Sequence, residues 1–198
     1  LINEIAEIIS LEFHINKSKE LGYNCDTLIF HLDPNGCWGN FQEDPNNCDI
    51  NFAACRQTGP VTDPNGIIHT SSDRTTNDPS GNERHVGSCS LCLDMDADGD
   101  KEILIGDISC CSMTLLTNTG SASSANITAK DITFPSSNIS VNMNLFPCGY
   151  FLDLNNDNKR DLVVCPNASF FSIDNESLWY YKNIGTDNAP IFSRQTRS

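Results

Sequence analysis

An acidic segment of nine residues occurs twice in the chain, and it constrains the fold more than any other feature of the sequence. The first copy begins at Asp94 and the second at Asp153, 59 residues later. Each copy has oxygen-bearing side chains at positions 1, 3, 5 and 9, and position 6 is Gly99 or Asn158, which tolerate positive φ. Because carboxylates this close repel one another until a cation neutralises them, the spacing predicts a loop that wraps a hard cation such as Ca²⁺.

This segment differs from the calcium loop of an EF-hand. That loop needs a bidentate Glu at position 12 and a helix on each side, whereas position 12 here is Ile105 or Val164. The flanking runs are short, apolar and β-rich; they are residues 90–93, 103–105, 149–152 and 162–165. We therefore predict that each loop joins two strands. The alternative is a solvated acidic turn that holds no metal.

The repetition continues beyond the loops. Each unit is predicted to contain strand, loop, strand and strand, followed by Asn-x-Gly at residues 118–120 or 183–185. A period of 59 residues suits a four-stranded propeller blade and is too long for a hairpin repeat. Over about residues 86–198 the units resemble the VCBS/FG-GAP repeats of secreted β-propellers, which are related to the calcium-bearing blades of integrin α chains. The ending at 178–192 is similar to endings in cell-surface proteins of the Bacteroidetes group, often exported by the type IX secretion system.

The resemblance implies an all-β fold of propeller blades, either a partial propeller or a fragment of a seven-bladed one, with calcium-binding β-hairpin loops. It implies calcium ligands in both loops. In the first loop these are Asp94, Asp96, Asp98, Glu102 and the carbonyl of Asp100; in the second they are Asp153, Asn155, Asp157, Asp161 and the carbonyl of Lys159. Asn155 replaces a charged ligand and Asn158 replaces the usual Gly, so we expect weaker calcium binding at the second loop.

The chain divides into four predicted segments. Residues 1–32 are a partial N-terminal blade, or a helix and a strand; 33–85 are a turn-rich insertion that contains cysteines; 86–145 and 146–198 are blades. Within residues 1–22, the apolar spacing is as compatible with an amphipathic helix as with a β segment. In the insertion, Trp38 and Phe41 are candidates for exposed contacts with a partner, although Trp38 could instead pack the insertion onto a blade.

The length of the chain leaves room for about three blades, and a closed propeller needs at least four. The remaining blades are therefore expected in a longer chain or in another subunit. The absence of an initiator Met agrees with a fragment or a processed product.

Ten cysteines favour disulfides and an oxidising compartment. A zinc site would use Cys89 and Cys92 with the pair at 110–111, but residues three apart on a strand point to opposite faces. Cys148 and Cys165 flank the second loop at nearly equal distances, so we predict that they pair across the hairpin. The sequence does not determine the other pairings.

Charge and hydropathy limit the partners. A net charge of −14 argues against nucleic acid, and there is no apolar run of about 18 residues that would span a membrane. The four histidines are scattered, and catalytic motifs are absent from the sequence. We expect an extracellular or outer-surface segment that binds a surface protein or a glycan and is not catalytic. The alternative is the propeller portion of a secreted polysaccharide-acting enzyme whose catalytic residues lie outside this chain.

Overall fold

The described part of the chain consists entirely of β-structure and connecting turns. The computed structural model describes residues 14–16, 18, 20–22, 30–32, 38–44, 48–52, 61–62, 68–69, 88–108, 110–121, 124–143, 146–167 and 177–195. These residues contain fourteen strands and no helix. The sequence predicts either a helix or a β segment within residues 1–22. Residues 14–16 of this segment are a strand, and residues 1–13 lie outside the described residues.

The first six strands are short and form three antiparallel pairs. They are β1 (His14–Asn16), β2 (Phe30–Leu32), β3 (Phe41–Asp44), β4 (Asp49–Phe52), β5 (Val61–Thr62) and β6 (Ile68–His69). Each strand pairs with its sequence neighbour, as β1–β2, β3–β4 and β5–β6. The predicted insertion therefore contributes two hairpins within its described residues.

The other eight strands form two antiparallel sheets of four strands each, in sequence order. The first sheet contains β7 (Ser88–Leu93), β8 (Glu102–Asp107), β9 (Met113–Asn118) and β10 (Ile127–Phe134). The second contains β11 (Pro147–Leu152), β12 (Asp161–Pro166), β13 (Trp179–Asn183) and β14 (Phe192–Gln195). The prediction that each acidic loop joins two strands is confirmed, since the loops connect β7 to β8 and β11 to β12.

The two sheets have equivalent register around their loops. Leu93 pairs with Glu102 at the base of the first loop, and Leu152 pairs with Asp161 at the base of the second. Gly106 pairs with Cys89, whereas the equivalent pair in the second sheet is Cys165 with Cys148. The sequence repeat is thus also a structural repeat.

The sheets pack face to face through the main apolar core. The first sheet contributes buried side chains such as Leu93 and Leu104, and the second contributes Leu162, Val164 and Tyr181. A β-carbon added at Gly149 would meet the side chains of both sheets. Burial of this aliphatic and aromatic surface is the main force that holds the two repeats together.

The opposite face of the first sheet is covered by the hairpin of β3 and β4. Phe41 and Ile50 from the hairpin pack on Ile103 and Ile105. The expectation that Phe41 is an exposed contact residue is therefore wrong, because its side chain is 1% exposed in this second core. Trp38 is partly buried against the same cluster, which agrees with the alternative that it packs the insertion onto a blade.

Polar contacts and a disulfide fix the hairpin in place. Lys130 on β10 forms an ion pair with Asp49 and donates to the carbonyl of Ile50 at 2.7 Å. A disulfide joins Cys48 to Cys110, whose Cα atoms lie 5.8 Å apart. The hairpin therefore closes this face of the first sheet.

The predicted disulfide between Cys148 and Cys165 is wrong, although the two residues are direct partners in the ladder of β11 and β12. Cys148 instead bonds to Cys89 of the first sheet, with a Cα–Cα distance of 5.3 Å. Strand β11 packs against β7, so Cys148 lies within disulfide distance of a residue outside its own hairpin. Cys165 is not in a disulfide, and its thiol contacts Tyr150.

We predict that Gly106→Ala destabilises the protein by about 2 kcal/mol, because an overpacked position must displace its neighbours. A β-carbon at Gly106 would lie 1.8 Å from the carbonyl oxygen of Pro147, where the second sheet begins. Urea unfolding measures the change. Cys165→Ala at the equivalent position of the second sheet is the control, with an expected change below about 1 kcal/mol. Equal effects at the two positions would contradict the close approach of the sheets at Gly106.

Candidate metal centre

In the first acidic loop, two residues have positive φ and backbone N–H groups donate to the carboxylates of the same loop. Gly99 has φ +91°, as its position in the repeat predicts, and Ala97 also has positive φ at +66°. The N–H of Ala97 donates to Asp94 Oδ1 at 2.8 Å, and the N–H of Asp98 donates to Asp96 Oδ1 at 3.2 Å. These short-range bonds fix the direction of the side chains that begin the loop.

Three of the predicted ligands converge in this loop. Oxygen atoms of Asp94, Asp96 and Glu102 lie within 4.8 Å of one another, the one such group of acidic, histidine or cysteine ligands among the described residues. Asp94 and Glu102 are buried, and Asp96 is exposed at the mouth of the loop. Asp98 and Asp100, also predicted as ligand positions, lie outside this group.

Glu102 carries the clearest sign that the loop accommodates a cation. Its side chain is 1% exposed, and Oε2 accepts the N–H of Met95 at 2.7 Å. Oε1 is buried without a hydrogen-bond partner. Burial raises the pKa of this carboxyl, the bond from Met95 lowers it, and the charge of Asp96 raises it again. The backbone N–H groups of Asn118 and of Glu102 itself also lower the pKa, although neither makes a hydrogen bond of full geometry to Oε1. An unpaired, buried carboxylate oxygen is costly, and a bound cation would remove that cost.

The second loop repeats the backbone of the first. Asn158 has φ +64° at the position of Gly99, and Asn156 has φ +59° at the position of Ala97. The N–H of Leu154 donates to Asp161, as Met95 donates to Glu102 in the first loop. Positive φ therefore occurs at the fourth and sixth positions of both loops. The sequence predicts it only at the sixth position.

The side chains of the second loop have other partners. Asp161 Oδ2 accepts the hydroxyl of Tyr180 at 2.9 Å, and its Oδ1 accepts the N–H of Asn183 at 2.8 Å. The Lys182 ammonium lies 3.3 Å from Asp157 Oδ2. Tyr180 also accepts a hydrogen bond from the amide of Asn155 at 3.1 Å. Donors on β13 thus satisfy carboxylates that the repeat pattern assigns to a second metal.

The side-chain donors Tyr180 and Lys182 have no counterpart in the first repeat, whereas the N–H of Asn118 lies by Glu102 as that of Asn183 lies by Asp161. Relative to the buried asparagine that ends each third strand, Leu115 and Thr117 occupy the positions of Tyr180 and Lys182. Neither residue supplies an ammonium or a phenol to the first loop. Sequence reasoning missed this difference because it lies on a strand that is distant from the loop along the chain. The expectation that the second loop binds calcium more weakly stays a prediction.

The asparagine of each Asn-x-Gly sequence ties the third strand to the loop. Asn118 accepts the N–H groups of Gly120 and Asn126, and it donates to the carbonyl of Lys101. Asn183 makes the equivalent bond to the carbonyl of Arg160. Lys101 and Arg160 precede the last acidic ligand position of their loops. The buried asparagines therefore hydrogen-bond to the backbone at the end of each loop and hold it in position. The sequence shows the motif but not this role.

A separate cleft lies between the β3–β4 hairpin and the first sheet, and its walls include Glu43, Asp107 and Thr114. The hydroxyl of Ser88 donates to Glu43. Burial raises the pKa of the Glu43 carboxyl, while the bond from Ser88 lowers it and the charge of Asp107 raises it. The cleft therefore holds a polar contact that joins the hairpin to β7.

No protein-family model, curated protein sequence or solved structure matches the chain. Within the residues that the structure describes, no helix is long and apolar enough to cross a membrane.

Proposed function

We propose that this chain is a calcium-stabilised segment of an extracellular β-propeller, which binds a surface protein or a glycan and is not itself catalytic. The observation that carries the proposal is the buried Oε1 of Glu102, which has no partner and lies in the group formed with Asp94 and Asp96. A set of oxygen-only ligands fits Ca²⁺ better than Zn²⁺, which prefers nitrogen and sulfur, or Mg²⁺, which demands near-ideal octahedral geometry.

The two four-stranded sheets support the propeller part of the proposal. Each is an antiparallel meander, and the sheets stack through one face, as successive propeller blades do. The disulfides Cys89–Cys148 and Cys48–Cys110 fit an oxidising, extracellular setting.

The non-catalytic part of the proposal follows from the placement of the acidic side chains. The acidic group of the first loop includes Asp94, Asp96 and Glu102, and a bound cation would keep these carboxylates ionised. Carboxylates held in this way are not available as a general acid or base. We assign the metal a structural role, in which it holds the loop that connects β7 to β8 in one conformation.

We predict that calcium raises the melting temperature by roughly 5–10 °C, because a ligand at about a hundred times its Kd adds about 2.7 kcal/mol to stability. The measurement compares thermal unfolding in millimolar Ca²⁺ with unfolding in excess chelator, and Mg²⁺ serves as the control. Glu102→Gln should abolish the shift. In chelator this variant should melt no lower than the wild type, since it removes a buried negative charge whose Oε1 has no hydrogen-bond partner and keeps an amide oxygen that can accept the N–H of Met95.

The matched control is Asp161→Asn, at the equivalent position of the second loop. This variant loses stability in both conditions, because Asp161 accepts hydrogen bonds from Asn183 and Tyr180, but it should keep the calcium-dependent shift. A melting temperature that is the same in calcium and in chelator would overturn the metal part of the proposal.

A further inference from the structure

Three cysteines meet near the start of the second sheet. Cys148 on β11 is bonded to Cys89 of the first sheet. Its direct partner across the ladder of β11 and β12 is Cys165, which is not in a disulfide. Cys148 therefore has one possible partner in its own hairpin and one in the other sheet, and in the structure it is bonded to the other sheet.

The register of the hairpin brings the free thiol to the disulfide. Direct partners in an antiparallel ladder project their side chains to the same face, and their Cα atoms lie about 4.5–5.5 Å apart. This separation is within the range that a disulfide spans. Cys165 can therefore reach the Sγ atom of Cys148 by rotation of the side chains, without a shift of either strand.

The internal repeat shows why Cys148, and not Cys89, is the sulfur open to attack from its own hairpin. Cys89 and Cys148 occupy equivalent positions, since each precedes its acidic loop by the same number of residues. The ladder partner of Cys89 is Gly106, which has no thiol, and the carbonyl oxygen of Pro147 occupies the space beside it. The second hairpin alone places a thiol next to the disulfide.

The surroundings of Cys165 suit a nucleophile that acts within the molecule. Cys148 is 6% exposed, so a thiol from solution has little access to its sulfur, whereas Cys165 is half-buried beside it. Burial raises the pKa of the Cys165 thiol, and a hydrogen bond with the side chain of Tyr150 lowers it. Tyr150 is two residues from Cys148 and therefore lies on the same face of β11. Its hydroxyl stabilises the thiolate, which is the form that attacks a disulfide.

We propose that Cys165 exchanges with the Cys89–Cys148 disulfide, so that the chain converts between a form whose two sheets are crosslinked and a form whose crosslink lies within the β11–β12 hairpin. Cys165 loses its proton to solvent, and its Sγ forms a bond to Cys148 Sγ. The bond from Cys148 to Cys89 breaks, and its electron pair goes to Cys89 Sγ, which takes up a proton from solvent. One disulfide and one thiol are present before and after, so the step needs no oxidant or reductant.

Exchange changes how the two sheets are held together. The exchanged form lacks the covalent link between β7 and β11, whereas the apolar core between the sheets is retained. The crosslink between the sheets is thus releasable without a reductant. None of the reacting atoms belongs to the acidic loops, so this proposal and the proposed metal centre can fail independently of each other.

The experiment incubates the whole chain at about pH 9, where thiols ionise, without added thiol or reductant. The protein is then unfolded at about pH 4, where exchange stops because thiolates are protonated, and thiols are labelled with N-ethylmaleimide. Peptide mass spectrometry locates the label. Without exchange, Cys165 is labelled and Cys89 is not. We expect that incubation produces labelled Cys89 together with a peptide that links Cys148 to Cys165.

Cys165→Ser removes the attacking thiol, and labelling of Cys89 should then be lost. Cys92→Ser is the matched control, because Cys92 is an exposed cysteine outside any disulfide on the same strand as Cys89. It lies three residues from Cys89 and points to the opposite face of β7, so its removal should leave the labelling of Cys89 unchanged.

The proposal is overturned if Cys89 stays unlabelled after incubation, or if it is labelled equally in the wild type and in Cys165→Ser. A labelled fraction that falls when the protein is diluted would also overturn it, since the exchange would then occur between molecules. A fraction that is independent of protein concentration supports a reaction within one chain.

Discussion

Removal of the Cys89–Cys148 disulfide is expected to lower the free energy of unfolding by about 4 kcal/mol. The bond closes a loop with a sequence separation of 59 residues, and loss of a cross-link of that span restores chain entropy to the unfolded state by about this amount. It also removes the one covalent link between the two sheets within the described residues. The measurement is urea unfolding of the Cys89→Ser, Cys148→Ser double variant at 25 °C.

Cys165→Ser is the control for this variant, because it changes a cysteine of the same hairpin that is not in a disulfide. We expect it to change stability by less than about 1 kcal/mol. Disulfide mapping of the wild type provides the decisive comparison. A peptide that links Cys148 to Cys165, or an equal loss of stability in the two variants, would show that the hairpin pairing is the correct one.

Replacement of Asn183 by Ala is expected to cost about 3 kcal/mol, since it leaves several buried backbone groups without partners. The side chain is fully buried. Its oxygen accepts the N–H groups of Gly185 and Ile191 at 2.9 and 3.1 Å, and its amide donates to the carbonyls of Arg160 and Thr186 at 3.0 and 3.1 Å. Chemical denaturation measures the loss.

The repeat provides a matched pair for this test. Asn118→Ala should give a similar loss, because Asn118 bonds the N–H groups of Gly120 and Asn126 and the carbonyl of Lys101. Asn142 is exposed, and Asn142→Ala should change stability by less than about 0.5 kcal/mol. If Asn183→Ala were as mild as Asn142→Ala, the two buried asparagines would not support the loops.

Features that depend on local sequence were predictable. The strands beside each loop follow from apolar β-rich runs, and the positive φ of Gly99 and Asn158 follows from their sixth position. Of the ligand positions that the spacing predicts in the first loop, Asp94, Asp96 and Glu102 converge, whereas Asp98 and Asp100 lie outside the group. In each case the residues that determine the feature are near one another in the chain.

Features that depend on packing between distant segments were not predictable. Cys148 faces Cys165 across its hairpin, as the sequence predicts, yet its bond to Cys89 depends on how β11 packs against β7. Phe41 lies in a turn-rich segment, and its burial depends on the first sheet. Tyr180 and Lys182 reach the second loop from another strand. A single sequence contains no direct signal for such contacts.

Calorimetric titration of the chelator-treated chain with Ca²⁺ tests the proposed metal centre most directly, with Glu102→Gln and Asp161→Asn titrated in parallel. The proposed function predicts a calcium site in the wild type that is absent in Glu102→Gln and retained in Asp161→Asn. A second, weaker site would be lost only in Asp161→Asn. If the wild type bound no calcium, or if Glu102→Gln bound it as tightly as the wild type, the first loop would not be a calcium site.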